Sequence, residues 1–509
     1  MFLKRFYWLL LLLLPLCGVG QSLYPDSVEA VLRQSKTHRK ELEKAIDHFR
    51  RSGDSLKLKA VYFLVSNMDE HYSASYIWVD SLGQKVAFDE LDYPDFAASV
   101  QAFDTLKRRH SKLTPRPVVY RDIDTVDASF LIENIEQAFA SWRANTAGKI
   151  SFEDFCEYVL PYRMSFEPLQ NWRSLYAGRF GNLRQGTGLP DYDSVYLAVG
   201  RDIRNWFSNV YGIENKTEPL PRLGARQLLH RKKGACEDIA DLTGLILRAN
   251  GYAASVDYIP AWSTASGLHF VNYTYPTTSS KNHFDAAEAM FVDTLSREPA
   301  KVIRTTYSRQ KNVAAEHADT AHIPDGFMRL KNYKDVTGEY WVTQDVRARL
   351  FAVKGAQPRL AFATVWNYFQ WRPVWWGKVD GNATVFSNMT KGAVYLPTYY
   401  LNGKLMPAGW PIVAGYENMQ VLEPDTVHTR TVYIKEQNPY LLFRTGKKYT
   451  LFWWSGKWTR AGMRVASADT KQLEYPGVPL NALLLLVPEY SQKKERPFIV
   501  SPSGERSWF

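Results

Sequence analysis

A cysteine, a histidine and an aspartate follow one another through the middle of this chain: Cys236, His269 and Asp285. Cys236 precedes a run of apolar residues at helical spacing, so we predict that it lies at or just before a helix N-terminus. That position favours the thiolate, which is the reactive form of cysteine. A thiolate nucleophile also needs a base and a group that orients the base. The three residue types therefore predict nucleophilic cysteine chemistry.

The predicted helix that positions Cys236 has sequence signals at both ends. Glu237 and Asp238 fall in its first turn, where acidic side chains suit the positive end of the helix dipole. Asn250-Gly251 ends it, because glycine tolerates the left-handed conformation at a helix C-terminus. The apolar stripe between these ends consists of Ile239, Leu242, Leu245, Ile246 and Ala249.

The histidine and the aspartate are predicted on adjacent strands. Residues 253–259 and 269–275 alternate as strands on either side of a loop at 260–267, and the chain returns through 283–285 after a turn. A turn centred on Thr277 places His269 opposite Asp285, with both side chains on one face. A slip by one residue would separate them.

The same residues resemble the transglutaminase-like superfamily of papain-fold cysteine enzymes. The family signature Gly-x-Cys-x-Asp-x-Ala-x-Leu is matched by Gly234, Cys236, Asp238, Ala240 and Leu242, and Arg248-Ala249-Asn250-Gly251 follows. The order Cys, His, Asp on consecutive elements is also the family's order. The resemblance implies Cys236 as nucleophile, His269 as general base and Asp285 as the residue that orients the base.

Two alternatives concern the site itself. Asp293, in Phe291-Val292-Asp293-Thr294, resembles the family's Val-Asp-x-Thr ending and could replace Asp285; we prefer Asp285 on the hairpin argument. Cys236, His269, His283 and Asp285 have ligand types that suit zinc, but no closely spaced Cys or His pair supports such a site. We therefore predict no metal and no cofactor.

The N-terminus predicts export. Residues 1–20 read as a signal peptide: Lys4 and Arg5 precede a short apolar run, and Gly18 and Gly20 stand before the cleavage position. The apolar run is too short to span a bilayer, and we predict no other membrane span. The protein is expected in the periplasm, on the cell surface or secreted. A lipoprotein anchored through Cys17 is the alternative, against which Leu16 argues, since a small residue is usual there.

Composition and cysteine count exclude several kinds of partner and of structural framework. The net charge of +11 is spread thinly, and no recognisable module carries a basic stripe, so we predict no nucleic-acid partner. Of three cysteines, Cys156 and Cys236 remain after the signal, too few for a disulfide framework. A disulfide bridge between them would leave Cys236 without a free thiol for nucleophilic attack. Cys156 is more simply interpreted as a core residue of the helix that follows Ser151. Asp122, Asp124 and Asp127 lack the rest of a calcium loop, so capping is predicted.

The 509 residues predict several domains with an α+β fold overall. After residue 332, short runs rich in Val, Tyr, Trp and Thr alternate with turn residues, which indicates β structure; strand candidates lie at 336–342 and 360–369. An echo of Trp375-Trp376-Gly377-Lys378 in Trp453-Trp454-Ser455-Gly456-Lys457 suggests two modules. The predicted regions are a helical N-terminal region at 21–147, a papain-like/transglutaminase-like catalytic core at 148–331, and all-β sandwich modules at 332–437 and 438–509.

Two functions follow from these features. The first is hydrolysis of a peptide or amide bond through a thioester, on a peptide or protein substrate from the cell wall or the diet. Transfer of the acyl group to a lysine amine is its variant. The second is a catalytically inactive envelope protein that binds glycan or protein through aromatic residues of the β modules. Val271 favours the second, because the family often has an aromatic residue two places after the histidine.

Overall fold

The computed structural model describes residues 23–110, 112–146, 148–184, 191–210, 222–438 and 441–509. The predicted signal peptide and Cys17 lie outside these residues. The described chain is mixed α+β, with most helices in its first half and antiparallel sheets dominating its second half. None of the helices in the described ranges is both long and apolar enough to cross a membrane.

The N-terminal region combines helices with a small sheet. Its elements are α1 (Asp26–Gln34), α2 (Arg39–Ser52), α3 (Ser55–Asn67), β1 (Tyr72–Val79), β2 (Lys85–Val86), α4 (Phe96–Arg109), β3 (Thr114–Arg121), α5 (Asp122–Thr125) and α6 (Ala128–Asn145). The antiparallel sheet in the order β2-β1-β3 was not predicted, so the expectation of a mostly helical region is wrong for these strands. Asp127 does cap α6, because its carboxylate accepts the Phe130 N–H at 2.8 Å.

Asp122 has a different role from capping. Its carboxylate is fully buried and accepts Arg163 Nε at 2.8 Å and Nη2 at 2.6 Å. The Tyr162 hydroxyl donates to the same carboxylate at 2.9 Å. This buried ion pair joins the start of α5 to Arg163, 41 residues further along the chain, so it holds the N-terminal region against the middle of the protein.

The middle of the chain places one buried helix against a six-stranded sheet. The helices are α7 (Phe152–Tyr158), α8 (Arg173–Phe180), α9 (Tyr192–Trp206), α10 (Ala225–Arg231) and α11 (Cys236–Ala249). The strands are β4 (Ser208–Asn209), β5 (Lys233–Gly234), β6 (Ala253–Ile259), β7 (His269–Tyr275), β8 (His283–Asp285), β9 (Met290–Phe291), β10 (Ile303–Thr305) and β11 (Tyr333–Asp335), with the sheet ordered β11-β10-β6-β7-β8-β9.

Helix α11 forms where its sequence predicts it. The stripe of Ile239, Leu242, Leu245 and Ile246 is buried, and Gly251 ends the helix at a φ of +80°. The Asn272 side chain, from β7, donates to the Ala240 carbonyl at 2.9 Å and ties the helix to the sheet.

The C-terminal half is mostly β. After the short helix α12 (Thr337–Tyr340) come β12 (Thr343–Arg349), β13 (Leu360–Asn367), β14 (Gln370–Asp380), β15 (Ala383–Thr390), β16 (Ala393–Leu401), β17 (Lys404–Pro407), β18 (Ile412–Ala414), β19 (Met419–Val421), β20 (Asp425–Lys435), β21 (Lys448–Trp454), β22 (Trp458–Val465), β23 (Gln472–Leu480), β24 (Leu484–Pro488), β25 (Pro497–Val500) and β26 (Arg506–Trp508). β12 to β19 form one sheet, β20 pairs with β23, and β21, β22, β24, β25 and β26 form another. The region boundaries at 147, 331 and 437 stay predictions.

One strand prediction is confirmed in position and one is wrong. β13 covers most of the 360–369 candidate, whereas the 336–342 candidate contains the helical turn α12. Asp335 explains the difference, because its carboxylate accepts the Thr337 N–H at 3.0 Å and starts a turn there.

Four tryptophans fill the junction between the last two larger sheets. Trp366, Trp371, Trp454 and Trp458 pack edge to face, with neighbouring centroids 5.1 to 5.4 Å apart. Aromatic rings favour this geometry when they are buried together. These residues therefore serve as core rather than as an exposed platform for a ligand.

Candidate functional site

Cys236 is the first residue of α11. Ala235 precedes it in an extended conformation, and the Asp238 carboxylate accepts the Ala235 N–H at 2.9 Å, which fixes the start of the helix. The thiol is half-buried, and its sulfur lies 3.8 Å from Glu237 Oε2. Cys156 is also a free thiol, so the alternative of a Cys156–Cys236 bridge is wrong.

Cys156 is a core residue, as its position on an apolar stripe predicts. It belongs to the cluster that the N-terminal helices share with α7. Burial raises the pKa of its thiol to about 12. Cys156 is therefore the inert thiol of the pair and an internal control for the chemistry of Cys236.

His269 and Asp285 are directly hydrogen-bonded. The His269 Nε2–H donates to Asp285 Oδ2 at 2.8 Å. The other oxygen of Asp285 accepts the backbone N–H groups of Ala287 at 3.0 Å and Glu288 at 3.3 Å. The carboxylate is thus held by the turn that follows β8 and in turn fixes the plane of the imidazole.

The environment of His269 favours its protonated form. Burial of the ring works against the positive charge, but hydrogen bonds to Asp285 and Cys236, and the charges of both groups, outweigh it. Together they raise the pKa of His269 to about 10. With Nε2 engaged by Asp285, Nδ1 is the ring nitrogen available to the sulfur. The three side chains can therefore hold a proton on the ring beside Cys236 at neutral pH.

The alternative acid Asp293 and the alternative zinc ligand His283 make contacts with residues outside the Cys236, His269 and Asp285 set. Asp293 is exposed and pairs with Lys281 at 2.9 Å. His283 donates to Glu339 at 3.1 Å and stacks on Tyr340 with centroids 3.8 Å apart. Within the described ranges, no group of three or more His, Cys, Asp or Glu side chains is arranged to hold a metal ion.

Trp262 was missed by the sequence analysis. Its ring stacks on His269, with centroids 6.1 Å apart and planes 23° from parallel. It lies in the loop at 260–267, which was identified, but nothing in that short segment singles the tryptophan out.

The C-terminal sheets hold this loop in place. Asn367, in β13, donates to the carbonyls of Trp262 and Ala265, each at 3.1 Å, and of Gly267 at 3.0 Å. Its amide oxygen accepts the Gly267 N–H at 3.2 Å. Arg496, before β25, donates to the Ala265 carbonyl at 3.3 Å and also to that of Ser263. We call Asn367 and Arg496 the loop clamp.

A cavity of about 520 Å³ is bordered by sequence neighbours of two of the site residues. Glu237, which follows Cys236 in the sequence, borders it, as do Leu268 and Phe270, which precede and follow His269. Most of its exposed wall is apolar, and six further aromatic side chains line it: Tyr72, Phe166, Tyr258, Tyr307, Phe327 and Tyr333. Arg222 extends over the Phe270 ring at 4.8 Å and is itself paired with the buried Asp241 at 3.2 Å. The cavity is therefore an apolar chamber with charge at its border.

Comparison with known proteins identifies no family. No protein-family model matches the chain, and no curated protein matches it. Among solved structures, red sea bream transglutaminase is similar at 10% sequence identity and a TM-score of 0.21, over 87% of this chain and 77% of that chain. A TM-score this low carries no argument, so the functional conclusion depends on the site.

Proposed function

We propose that the chain is an exported, transglutaminase-like cysteine hydrolase that cleaves a peptide or amide bond. The observation that carries this proposal is the 2.8 Å hydrogen bond between His269 and Asp285, together with a half-buried Cys236 at the N-terminus of α11 whose interaction helps to raise the pKa of His269. A cysteine on a helix N-terminus, packed against the sheet that presents the histidine, also supports a papain-like core. The substrate class is a peptide from the cell wall or the diet.

The first half of the reaction forms a thioester. His269 holds the proton that leaves the Cys236 thiol, and the sulfur attacks the carbonyl carbon as the C=O π electrons move onto oxygen. The Cys236 N–H, at the helix start where such groups lack an acceptor within the helix, helps to bind that oxyanion. A donor in this role contributes roughly 3–4 kcal/mol. The C–N bond then breaks, and His269 gives its proton to the leaving amine.

The second half returns the free enzyme. A water molecule attacks the thioester, its proton moves to the sulfur by way of His269, and the acid leaves. An incoming lysine amine would instead produce a cross-link. Hydrolysis is preferred because water is abundant outside the cell.

The aromatic cavity indicates which part of the substrate the enzyme recognises. Its wall includes Glu237, Leu268 and Phe270, the sequence neighbours of Cys236 and His269, and we infer that the side chain of the acyl residue enters it. Aromatic walls bind large apolar groups by burying their surface. The preferred acyl residue is therefore aromatic or long and aliphatic.

Turnover of a peptide-amide library tests the proposal. Cys236→Ala should abolish turnover and leave the melting curve nearly unchanged, because the thiol is half-buried at a helix end. Cys156→Ala is the matched control and should retain turnover. Activity that survives Cys236→Ala would refute the mechanism.

The pH dependence of thiol reactivity distinguishes the cysteine hydrolase from the second candidate function, a binding protein without catalytic activity. An activated Cys236 reacts with iodoacetamide well below pH 7, whereas ordinary thiol behaviour would favour a catalytically inactive envelope protein that binds glycan or protein. Mass spectrometry assigns the label to Cys236 or Cys156.

A further inference from the structure

A second and larger groove lies apart from Cys236. It has a volume of about 1070 Å³ and runs between the chain at 309–335 and the strands β12, β14 and β15. Tyr333 borders both this groove and the aromatic cavity. Nothing in the proposed hydrolysis uses this groove.

Positive charge dominates its wall. Five cationic side chains face two carboxylates, those of Asp335 and Asp380; the cations are Arg309, Lys311, Lys334, Arg347 and Lys378. Arg309 is paired with Asp69 and Glu70, and Lys334 donates to the Tyr158 hydroxyl. Lys311, Arg347 and Lys378 are exposed, and no carboxylate of the described residues pairs with them. Three cations are therefore available to a ligand.

A buried lysine neutralises one of the two carboxylates. Lys301 is fully buried, and its Nζ lies 2.5 Å from Asp335 Oδ2. The same ammonium donates to the carbonyls of Ser387 and Asn388, each at 2.9 Å. Asp335 therefore does not offset the cations of the groove, and the wall attracts anions.

The groove also presents an aromatic surface. Trp376 borders it and is half-buried, with the His317 ring 5.3 Å away. A flat indole face suits the C–H face of a pyranose ring, and neighbouring cations suit carboxylate or sulfate groups on that sugar. A run of acidic residues alone, such as poly-glutamate, would use the cations but has no ring to place on Trp376.

We propose that this groove binds an anionic oligosaccharide whose acidic groups meet Lys311, Arg347 and Lys378 and whose ring packs on Trp376. The site is independent of the proposed hydrolysis. It would hold the protein on an acidic polysaccharide while the cysteine site acts on a peptide.

Binding of tetragalacturonate and of a sulfated chondroitin tetrasaccharide to the full chain tests this proposal by calorimetry. Maltotetraose is the neutral control, and poly-glutamate is the acidic-peptide control. Wild-type protein should bind at least one anionic sugar, more weakly as salt is raised, because salt screens the exposed cations. The variant Lys311→Gln/Arg347→Gln/Lys378→Gln should bind at least tenfold more weakly.

The matched control replaces three exposed cations on other strands: Lys404→Gln/Lys435→Gln/Arg460→Gln. It changes the net charge by the same amount and should bind like wild type. Cys236→Ala should also bind like wild type, which separates this proposal from the fate of the hydrolase proposal. Absence of binding to both anionic sugars, equal loss in the two triple variants, or equal affinity for poly-glutamate would overturn it.

Discussion

His269 donates to Asp285 across 2.8 Å although the two residues are not direct partners on their strands. β7 and β8 pair Asn272 with Phe284 and Tyr273 with His283, so Asp285 continues the pairing opposite Val271 and lies diagonally from His269. The predicted direct pairing was therefore wrong by two positions. Because side chains alternate with a period of two, a shift of two leaves both residues on one face.

We expect His269 to titrate far above an ordinary histidine. Its pKa is raised to about 10, so its protonation stabilises the folded state fully below pH 6.5, and this stabilisation is lost as the pH rises through about 10. NMR of ¹³C-labelled histidine would follow the ring, with His269→Gln providing the assignment. A midpoint near 6.5 would contradict the hydrogen bonding described for the ring.

Asp285→Asn should reduce turnover by roughly 10²–10⁴-fold, since the amide removes the charge that holds the imidazolium and its tautomer. The pKa of His269 should fall in the same variant. Asp293→Asn is the matched control, because Asp293 is exposed and pairs with Lys281, and its turnover should stay within about twofold of wild type. Equal losses in the two variants would remove Asp285 from the mechanism.

The loop clamp should affect the reactivity of the Cys236 thiol, although neither clamp residue is one of the three proposed catalytic residues. Asn367→Ala removes four hydrogen bonds to the loop that carries Trp262, so the tryptophan and His269 lose their fixed positions. We expect alkylation of Cys236 at pH 6 to slow by roughly 10- to 100-fold, with a changed pH profile.

Asn481→Ala is the control for the clamp. Asn481 also donates to two carbonyls, those of Val421 and Glu423 at 2.9 Å each, but these lie away from the loop. Its alkylation profile should match wild type. If both variants behave alike, the effect of Asn367→Ala is general loss of stability.

Stability should depend strongly on the buried pair of Asp122 and Arg163. Asp122→Ala leaves the guanidinium buried without its counter-ion, which costs about 3–5 kcal/mol in the free energy of unfolding. Asp124→Ala, two residues later and exposed, should cost less than about 0.5 kcal/mol. Urea denaturation measures both, and similar costs would show that burial of the pair is unimportant.

Local sequence signals predicted α11, the helix that begins at Cys236, well. The regularly spaced apolar residues, the acidic residues of the first turn and Gly251 all belong to α11 or its ends. Predicting this helix therefore required no contact with a distant part of the chain. The strand predicted at 336–342 failed because a side chain just before it, Asp335, starts a turn that apolar alternation does not reveal. β1 was missed because its partner β3 is some forty residues away and contains two prolines, which obscure a strand pattern.

Long-range contacts explain what the sequence could not reveal about the site. Asn367 lies 105 residues after Trp262, and no local pattern relates them. The cationic groove likewise combines residues from the four strands β11, β12, β14 and β15 with residues of the chain at 309–317. The candidate site residues Cys236, His269 and Asp285 could therefore be proposed from the sequence. The loop clamp and the second groove could not, because they depend on contacts between distant parts of the chain.

The Arg496 guanidinium also donates to the backbone oxygen of Phe509 at 2.7 Å. Phe509 is thus two hydrogen bonds away from the loop that precedes His269, with Arg496 between them. Removal of residues 498–509 takes away this acceptor for Arg496, so we expect it to loosen the loop and to slow alkylation of Cys236. Carboxypeptidase digestion followed by iodoacetamide labelling would reveal that dependence.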